Sequence, residues 1–535
     1  MHVVNWRLLV SVAVLTSVTV AQPLRRVDAD DDQKLKGPIR HILLISIDGM
    51  HALDLENCIQ GVNGLAPYCP NLAAMAQNGS RYTQASSAQP SDSFPGLLAM
   101  LTGGSPRSSG VFYDNSYDRT LVPPQGACSP GKARPSTEML FDESIDIDVT
   151  RLDGGGGINT ATLPLDPFNT CLPVFPHQYL RVNTIFDVVK TAGGYTAWSD
   201  KNWGYDIVQG PSGKGVDDLF IREIKSNIVP LPFPGCTPVP DTSVNSDWTT
   251  SFDDVKCYDA LKVQAILNEI NGQTSDGSKR APVPTLFGMN FQAVSVGQKL
   301  IEKTTTPTIT GGYKDALGTP SDALLGQIKF VDQSIDAMVS ELDKRGLLRS
   351  TVVIVSAKHG QAPINPQSVQ KIGDAMTPVL TAAGISVAQA TEDDVALLWL
   401  TDQTQASAAA AAISAKASTT GLGDIFIGNA ITQLFNDPTK DPRTPDLIVN
   451  PNTGVIYTTS GKKQAEHGGF NHDDTNVALL VYNPGFSGQT LTNPVNTQQI
   501  APTILALLGL DADQLQAVRK ENTQLLPGLF EEVDR

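Results

Sequence analysis

The run TVVIVSAKHGQ, residues 351–361, constrains the fold more than any other stretch of the chain. Thr351 through Val355 are all β-branched, which suits a strand packed on both faces. The strand ends in a polar pair, Lys358-His359. Just before it lies SDALLGQIKFVDQSIDAMVSELDKRG (321–346), in which Leu324, Leu325, Ile328, Val331, Ile335, Met338, Val339 and Leu342 recur near the helical period. Ser321 can cap this helix and Gly346 can end it. A helix that feeds a fully apolar strand is the repeating unit of a parallel sheet covered on both faces.

The same alternation recurs along the chain. HILLISIDG (41–49) reads as a buried strand ending at Asp48, and SFPGLLAMLTGG (93–104) as a helix with Pro95 in its first turn. Helices are expected at 70–78, 182–193 and 500–510, and strands at 194–200, within 284–294, and at 477–483. Residues 120–180 are rich in Pro, Gly and polar groups and read as a long surface excursion. Residues 362–464 read as an inserted α+β subdomain, with a strand at 395–400 and an Ala-rich helix at 406–417. The expected layout is a core of 38–361 and 465–512, interrupted by that insertion and followed by a tail, 513–535.

The first residues, MHVVNWRLLVSVAVLTSVTVAQ, carry one arginine, then an apolar run of about 14 residues, then small residues ending at Ala21. This is the pattern of a signal peptide, 1–21, and the run is short for a membrane span; the polar segment 22–37 reads as a flexible leader. Secretion, with no membrane association after cleavage, is the expectation. Six cysteines agree with it, and nearest-neighbour pairing (58–69, 128–171, 236–257) is the expected connectivity. Asn78-Gly79-Ser80 is a candidate glycosylation site. A net charge of −16 argues against a nucleic-acid-binding surface.

Polar residues gather where strands end, and that is where open parallel sheets bind ligands. Asp48 and Lys358-His359 are two such places, and the turn 467–474 is a third. Ser93, in PSDSFPG (90–96), opens a helix, where free N–H groups and the helix dipole favour an anion. A serine there is either a simple cap or a nucleophile. NWGYDIVQGPSGKG (202–215) lacks the spacing and final Ser/Thr of a phosphate loop. Its Trp203 and Tyr205 are either pocket aromatics or residues of a packed loop.

SIDGM (46–50), SDSFPGLLAMLTGGSPRSSGVFYDN (91–115), SAKHGQ (356–361) and EHGGFNHDD (466–474) occur in this order. Together they resemble the type I phosphodiesterase/nucleotide pyrophosphatase branch of the alkaline phosphatase superfamily, over roughly residues 38–510. The resemblance implies an α/β sandwich with a central, mostly parallel sheet, helices on both faces and a smaller inserted subdomain. It implies Ser93 as nucleophile, Asn115 as a ligand of the phosphoryl oxygens, and Asp48, Ser93, His359 and His467 as metal ligands. In that family two zinc ions are held by three Asp and three His.

This sequence departs from the pattern at three of those six. Lys358 stands where an aspartate is expected, and the family's Asp-x-x-x-His aligns with Val294 and Gln298. A lysine ammonium can fill the space of a metal and pair with Asp48, but it does not itself bind zinc unless it loses its proton. The expectation is at most one tightly bound divalent ion, zinc by resemblance, with Asp92, Asp114, His51, His472, Asp473 and Asp474 as candidate relocated ligands. The expected activity is hydrolysis of a small-molecule phosphate ester or nucleotide, with Lys358 in the catalytic site and the helix start at 95 holding phosphoryl oxygens. The alternative is a non-catalytic binding protein of the same fold. A sulfatase is excluded by the missing arginine after Pro95; a metal-independent serine hydrolase using Ser93 and a histidine remains a further reading.

Overall fold

In His41–Ile47 every residue after the first is buried, so both faces of this strand are covered by other parts of the chain. The computed structural model describes residues 38–132, 135–229, 231, 247–303 and 306–530; the expected signal peptide, the leader and Cys236 lie outside them. Strands β1 (His41–Ile47), β2 (Gly79–Tyr82), β3 (Ala197–Asp200), β4 (Asp218–Ile221), β5 (Leu286–Phe291) and β6 (Thr351–Ser356) come first in the chain. Next come β7 (Val387–Glu392), β8 (Ala396–Leu400), β9 (Leu422–Ile427) and β10 (Leu447–Pro451), and finally β11 (Leu479–Tyr482) and β12 (Gln489–Leu491).

Eight of these form one sheet in the order β12-β2-β11-β6-β1-β5-β3-β4. The central pairs β6-β1, β1-β5, β5-β3 and β3-β4 are all parallel, and β11 runs antiparallel to both β6 and β2. Strands β5 and β6 are buried at every residue, as a sheet covered on both faces requires. The fold is thus α/β with a large, mostly parallel sheet. β7 to β10 form a separate antiparallel sheet with its own apolar cluster, which includes Leu398, Leu400, Ile413, Leu447 and Val449.

Four helices support the carboxyl edge of the large sheet: α1 (Ser93–Thr102), α2 (Phe252–Ile270), α3 (Ala293–Lys299) and α4 (Asp322–Lys344). α4 buries the stripe Leu324, Ile328, Val331, Ile335, Met338 and Leu342 that its periodicity predicts. α2 was not legible in the periodicity, because its buried face carries Asp259, Lys262 and Glu269 among the apolar residues. Residues 513–530 are more than a tail: Leu515, Ala517, Val518 and Leu526 are buried, and Glu521 accepts the Ser105 N–H.

Cys58–Cys69 and Cys128–Cys171 are disulfide-bonded, as the spacing suggested, and no described cysteine is free. The second bond staples the excursion, and the residues that flank it meet the inserted segment through three arginine-carboxylate pairs. Arg181 forks onto Asp441 at 2.6 and 2.7 Å, Arg119 reaches Asp446 at 2.6 Å, and Arg443 reaches Asp118 at 2.8 Å. Burial pushes the Asp441 carboxyl up, but Arg181, with Asn436 and the Arg443 N–H, outweighs it and brings it down to about 2.

An unfolded aspartate titrates near 3.9, so this pair stabilises the fold fully above about pH 4 and loses its contribution as the pH falls toward 2. Asp441→Asn is therefore expected to cost on the order of 2 kcal/mol at pH 7. The gap to wild type should shrink as thermal denaturation is repeated down to about pH 2.5; a gap of constant size across that range would contradict the assignment.

Candidate active site

Parallel register brings the strand ends level. Ser46 lies opposite Asn290 on one side and Ser356 on the other. Two residues further on, Asp48, Gln292 and Lys358 therefore leave the sheet side by side. The Asp48 N–H bonds to the Phe291 carbonyl and the Gly49 N–H to the His359 carbonyl, which ties the three strand ends together.

Asp48 and Lys358 are both buried, and Lys358 Nζ lies 3.3 Å from Asp48 Oδ2. The same oxygen accepts hydrogen bonds from Gln292 Nε2 at 2.5 Å and Asn290 Nδ2 at 3.1 Å. Burial alone would raise the Asp48 carboxyl; Lys358, His359 and Lys201 together hold it well below the usual carboxylate range. Lys358 also donates to the Tyr205 hydroxyl at 2.8 Å and lies 4.7 Å from that ring's centre. Tyr205 is itself fully buried against Phe94, so it is a support for the lysine and not a pocket wall. Trp203 is half-buried with its indole N–H on the Asp153 carbonyl, so it too belongs to a packed loop.

Helix α1 brings Ser93 to this edge because Gly96 lets it come close. A Cβ at Gly96 would stand 1.9 Å from the Lys358 carbonyl oxygen. The approach puts Ser93 Oγ 3.3 Å from His359 Nε2. His359 Nδ1 lies 2.7 Å from the Gly360 carbonyl, which can only accept, so Nδ1 carries the proton and Nε2 presents a lone pair to the serine hydroxyl. Burial drives His359 down to about 4, with Lys358 and Lys201 adding to it and Asp48 opposing, so the ring is neutral at ordinary pH. His467 lies with its ring centre 3.9 Å from that of His359 and its Nδ1 3.6 Å from Asp92 Oδ1.

The cap of α1 is Asp92, not Ser93. Its carboxylate takes the Phe94 N–H at 3.0 Å and also faces that of Ser93, Pro95 has none, and the Gly96 N–H bonds to the Asp92 carbonyl at 2.9 Å. The helix start expected to hold phosphoryl oxygens thus has its donors already engaged. Asn115 opens a short strand, donates to Glu138 at 3.2 Å and accepts from Gln389 at 3.4 Å. Among the described residues no hydrogen bond joins it to Ser93.

The residues present do not fit a pair of divalent ions. Val294 is a buried apolar side chain of α3, and Gln298 Nε2 donates to the Gly49 carbonyl and the Tyr313 hydroxyl. Among the described residues no group of three or more His, Cys, Asp or Glu is arranged to hold a metal. A single ion on Asp48, Ser93 and His359 would share its one carboxylate with the Lys358 ammonium, and the two like charges would repel.

The relocated candidates do not repair this. His51 accepts the Gln361 N–H at Nε2 and faces Asp54 at 2.9 Å through Nδ1, so both nitrogens are occupied. His472 is exposed, Asp473 caps the Ile364 N–H, and Asp474 accepts from Gly469. Burial pushes Asp92 up to about 6 and Asp114 up to about 8, the latter helped by the charge of Asp92.

Lys201 was not singled out by its sequence context, yet it stands one residue past the end of β3, at this same edge. Its field acts on Asp48, Asp92, Asp114, His359 and His467 alike.

The type I phosphodiesterase / nucleotide pyrophosphatase family model matches residues 42–132 and 305–474. Asp48, Ser93 and Asn115 fall in the first segment; Lys358, His359 and His467 fall in the second. Among solved structures, the chain is similar to murine ectonucleotide pyrophosphatase / phosphodiesterase 5, an inactive variant in complex with AMP. Identity is 13%, the TM-score is 0.52, and the match covers 88% of this chain and 96% of that one. The human protein of the same name gives 12% identity and a TM-score of 0.52, covering 88% and 95%. No curated protein sequence matches the chain. At such identities the structural likeness shows the fold.

Removing the lysine charge alone would leave Asp48 buried without its counter-ion, so Lys358→Met is expected to cost about 3–5 kcal/mol by denaturant titration. Removing both charges in Asp48→Asn/Lys358→Met should restore most of it. Equal losses in the single and double variants would mean the two groups are not coupled.

Proposed function

The chain belongs to the type I phosphodiesterase/nucleotide pyrophosphatase family of the alkaline phosphatase superfamily, and from that premise we propose that it is a secreted hydrolase of phosphate esters. The bond cleaved is a phosphodiester or a nucleotide pyrophosphate, and the related fold recorded with AMP supports a nucleotide as substrate. The observation that carries the reading is the 3.3 Å contact between Ser93 Oγ and the unprotonated Nε2 of His359, at the carboxyl edge of the sheet.

In this scheme Ser93 passes its proton to His359 Nε2 as Oγ bonds to phosphorus, and the leaving oxygen departs with that proton. Water then gives a proton to the same nitrogen and attacks phosphorus; the Oγ–phosphorus bond breaks and Ser93 takes the proton back. Lys358 neutralises and fixes Asp48, so that the carboxylate does not repel the phosphate ester. Asn115, which spends one amide N–H on Glu138, has a second for a phosphoryl oxygen. His467 packs on His359 and keeps its ring in place.

Two disulfides support an oxidising compartment, and Asn78 is exposed at the end of the helix Pro70–Gln77, where a glycan fits. Among the described residues no helix is long and apolar enough to cross a membrane.

The second reading is a binding protein without turnover, and the engaged donors at the start of α1 are the observation in its favour. Hydrolysis of bis(p-nitrophenyl) phosphate by wild type and Ser93→Ala separates the two. The variant should lose about a thousandfold or more in kcat/KM, and acid-quenched wild type should carry a phosphoryl group on the peptide containing Ser93. Turnover that survives in Ser93→Ala rules out the serine mechanism, and a wild type without turnover leaves the binding reading.

A further inference from the structure

Two buried carboxyl groups that the serine chemistry does not use face each other where the inserted sheet meets the turn 467–474. Asp394 lies in the tight turn between β7 and β8, and Asp474 in the short helix His472–Thr475. Asp394 is 2% exposed and Asp474 is fully buried. Asp474 Oδ1 accepts the Gly469 N–H at 3.2 Å. Asp474 Oδ2 and both oxygens of Asp394 have no donor among the described residues. Buried acceptors left in this state are rare in folded proteins.

Backbone contacts bring the two groups together. The Asp394 N–H bonds to the His467 carbonyl at 3.3 Å. A Cβ at Gly469 would stand 2.3 Å from Asp474 Oδ2 and 2.8 Å from the Asp394 carbonyl oxygen, so a bare glycine is what lets both residues close over that point. Their side chains lie within hydrogen-bond reach of each other. A carboxylate has no proton to give, and a single shared proton would satisfy two of the three oxygens and leave one of Asp394 without a partner. Nothing positive compensates Asp394. Burial pushes its carboxyl well up, and the charges that face it, Asp474, Asp393 and Glu466, add to the push. Asp393 takes the Tyr113 hydroxyl at 3.2 Å and Glu466 pairs with Lys463, so neither supplies a donor. Three bare oxygens in a negative field are what a hard cation completes.

We propose that Asp394 and Asp474 form a calcium site that ties the inserted sheet to the turn carrying His467. Two carboxylates balance the charge of the ion, and calcium fills the rest of its shell with carbonyl oxygens and water. Zinc favours nitrogen and sulfur ligands, and magnesium gives up water reluctantly, so an all-oxygen buried pair selects calcium over both. The ion would act on the serine site by position. The Asp474 carbonyl accepts the Ser91 hydroxyl and the Gly360 N–H, each at 2.6 Å. Ser91 leads into α1, and the Gly360 carbonyl faces His359 Nδ1. Neither Ser93 nor His359 is a ligand, so the site stands whether or not the chain cleaves a phosphate ester.

The test uses the full chain after dialysis against EGTA. Calorimetric titration with calcium chloride should show one ion bound per chain. Calcium at about a hundredfold excess over its dissociation constant should raise the melting temperature by about 2–4 °C, and magnesium should do much less. Asp394→Asn keeps the shape and supplies the N–H that a shared proton would, so it should fold and lose the calcium response. Wild type without calcium binding overturns the proposal and leaves a shared proton; an undiminished response in Asp394→Asn overturns it too. Should that variant not fold, anomalous diffraction from wild-type crystals grown with terbium decides. An ion between Asp394 and Asp474 supports the site, and an ion elsewhere or none overturns it. Ser93→Ala should bind calcium as wild type does, which keeps this result separate from the fate of the serine mechanism.

Discussion

Asp48 and Lys358 face each other at 3.3 Å at the ends of two neighbouring parallel strands, and both are shut away from water. A buried charge of either sign would be intolerable alone, so each is held by the other and by dedicated donors and acceptors. Gln292 and Asn290 donate to the carboxylate; Tyr205 accepts from the ammonium. Gln292 is in turn placed by Asp259, which takes the N–H groups of Gln292 and Ala293 at 2.8 Å each and pairs with Lys262. Lys262 bonds to the Asn290 carbonyl, so a second buried ion pair on α2 fixes the turn that serves the first. The strand ends are thus tied to one another by this chain of charges as well as by the apolar core.

That arrangement changes what the site asks of its other parts. A dication beside a serine lowers the pKa of the hydroxyl directly. A lysine ammonium offers charge, but it offers no empty coordination position. The proton of Ser93 then has to go to a side chain, and the base in contact with it is His359. The ring is free to accept it at ordinary pH, because its other nitrogen is fixed on the Gly360 carbonyl and burial keeps it neutral, although the same burial weakens it as a base.

Much of the frame was readable from the residues. The β-branched run 351–355, the apolar strand after His41 and the long periodic helix before β6 each force a covered parallel sheet, and the polar residues after them mark its carboxyl edge. The replacement of an expected aspartate by Lys358 was legible too, as was its pairing with Asp48. What could not be read was packing between distant segments. Gly96 looks like any helix glycine until the Lys358 carbonyl is set against it. Asp92 as the cap, which silences the helix start, competes with Ser93 for that role, and only the backbone geometry decides. Lys201 sits in a polar stretch, DKNW, with no spacing to distinguish it from a surface lysine; its signal is the strand that ends one residue earlier. α2 was hidden by its own buried charges, which break the apolar period where they serve the site.

Charge placement gives this edge its directionality. Lys358 lies behind Asp48, fully enclosed, and its field is largely spent on that carboxylate. Lys201, half-buried just past the end of β3, is held charged against burial by Asp48, Glu143, Asp200 and Asp114 together. The enclosed cation therefore shapes the strand ends, and the half-enclosed Lys201 balances the carboxylates around them. The overall charge of −16 does not decide the sign of this edge, because low-dielectric walls focus the local field within the cleft and solvent screens the distant surface.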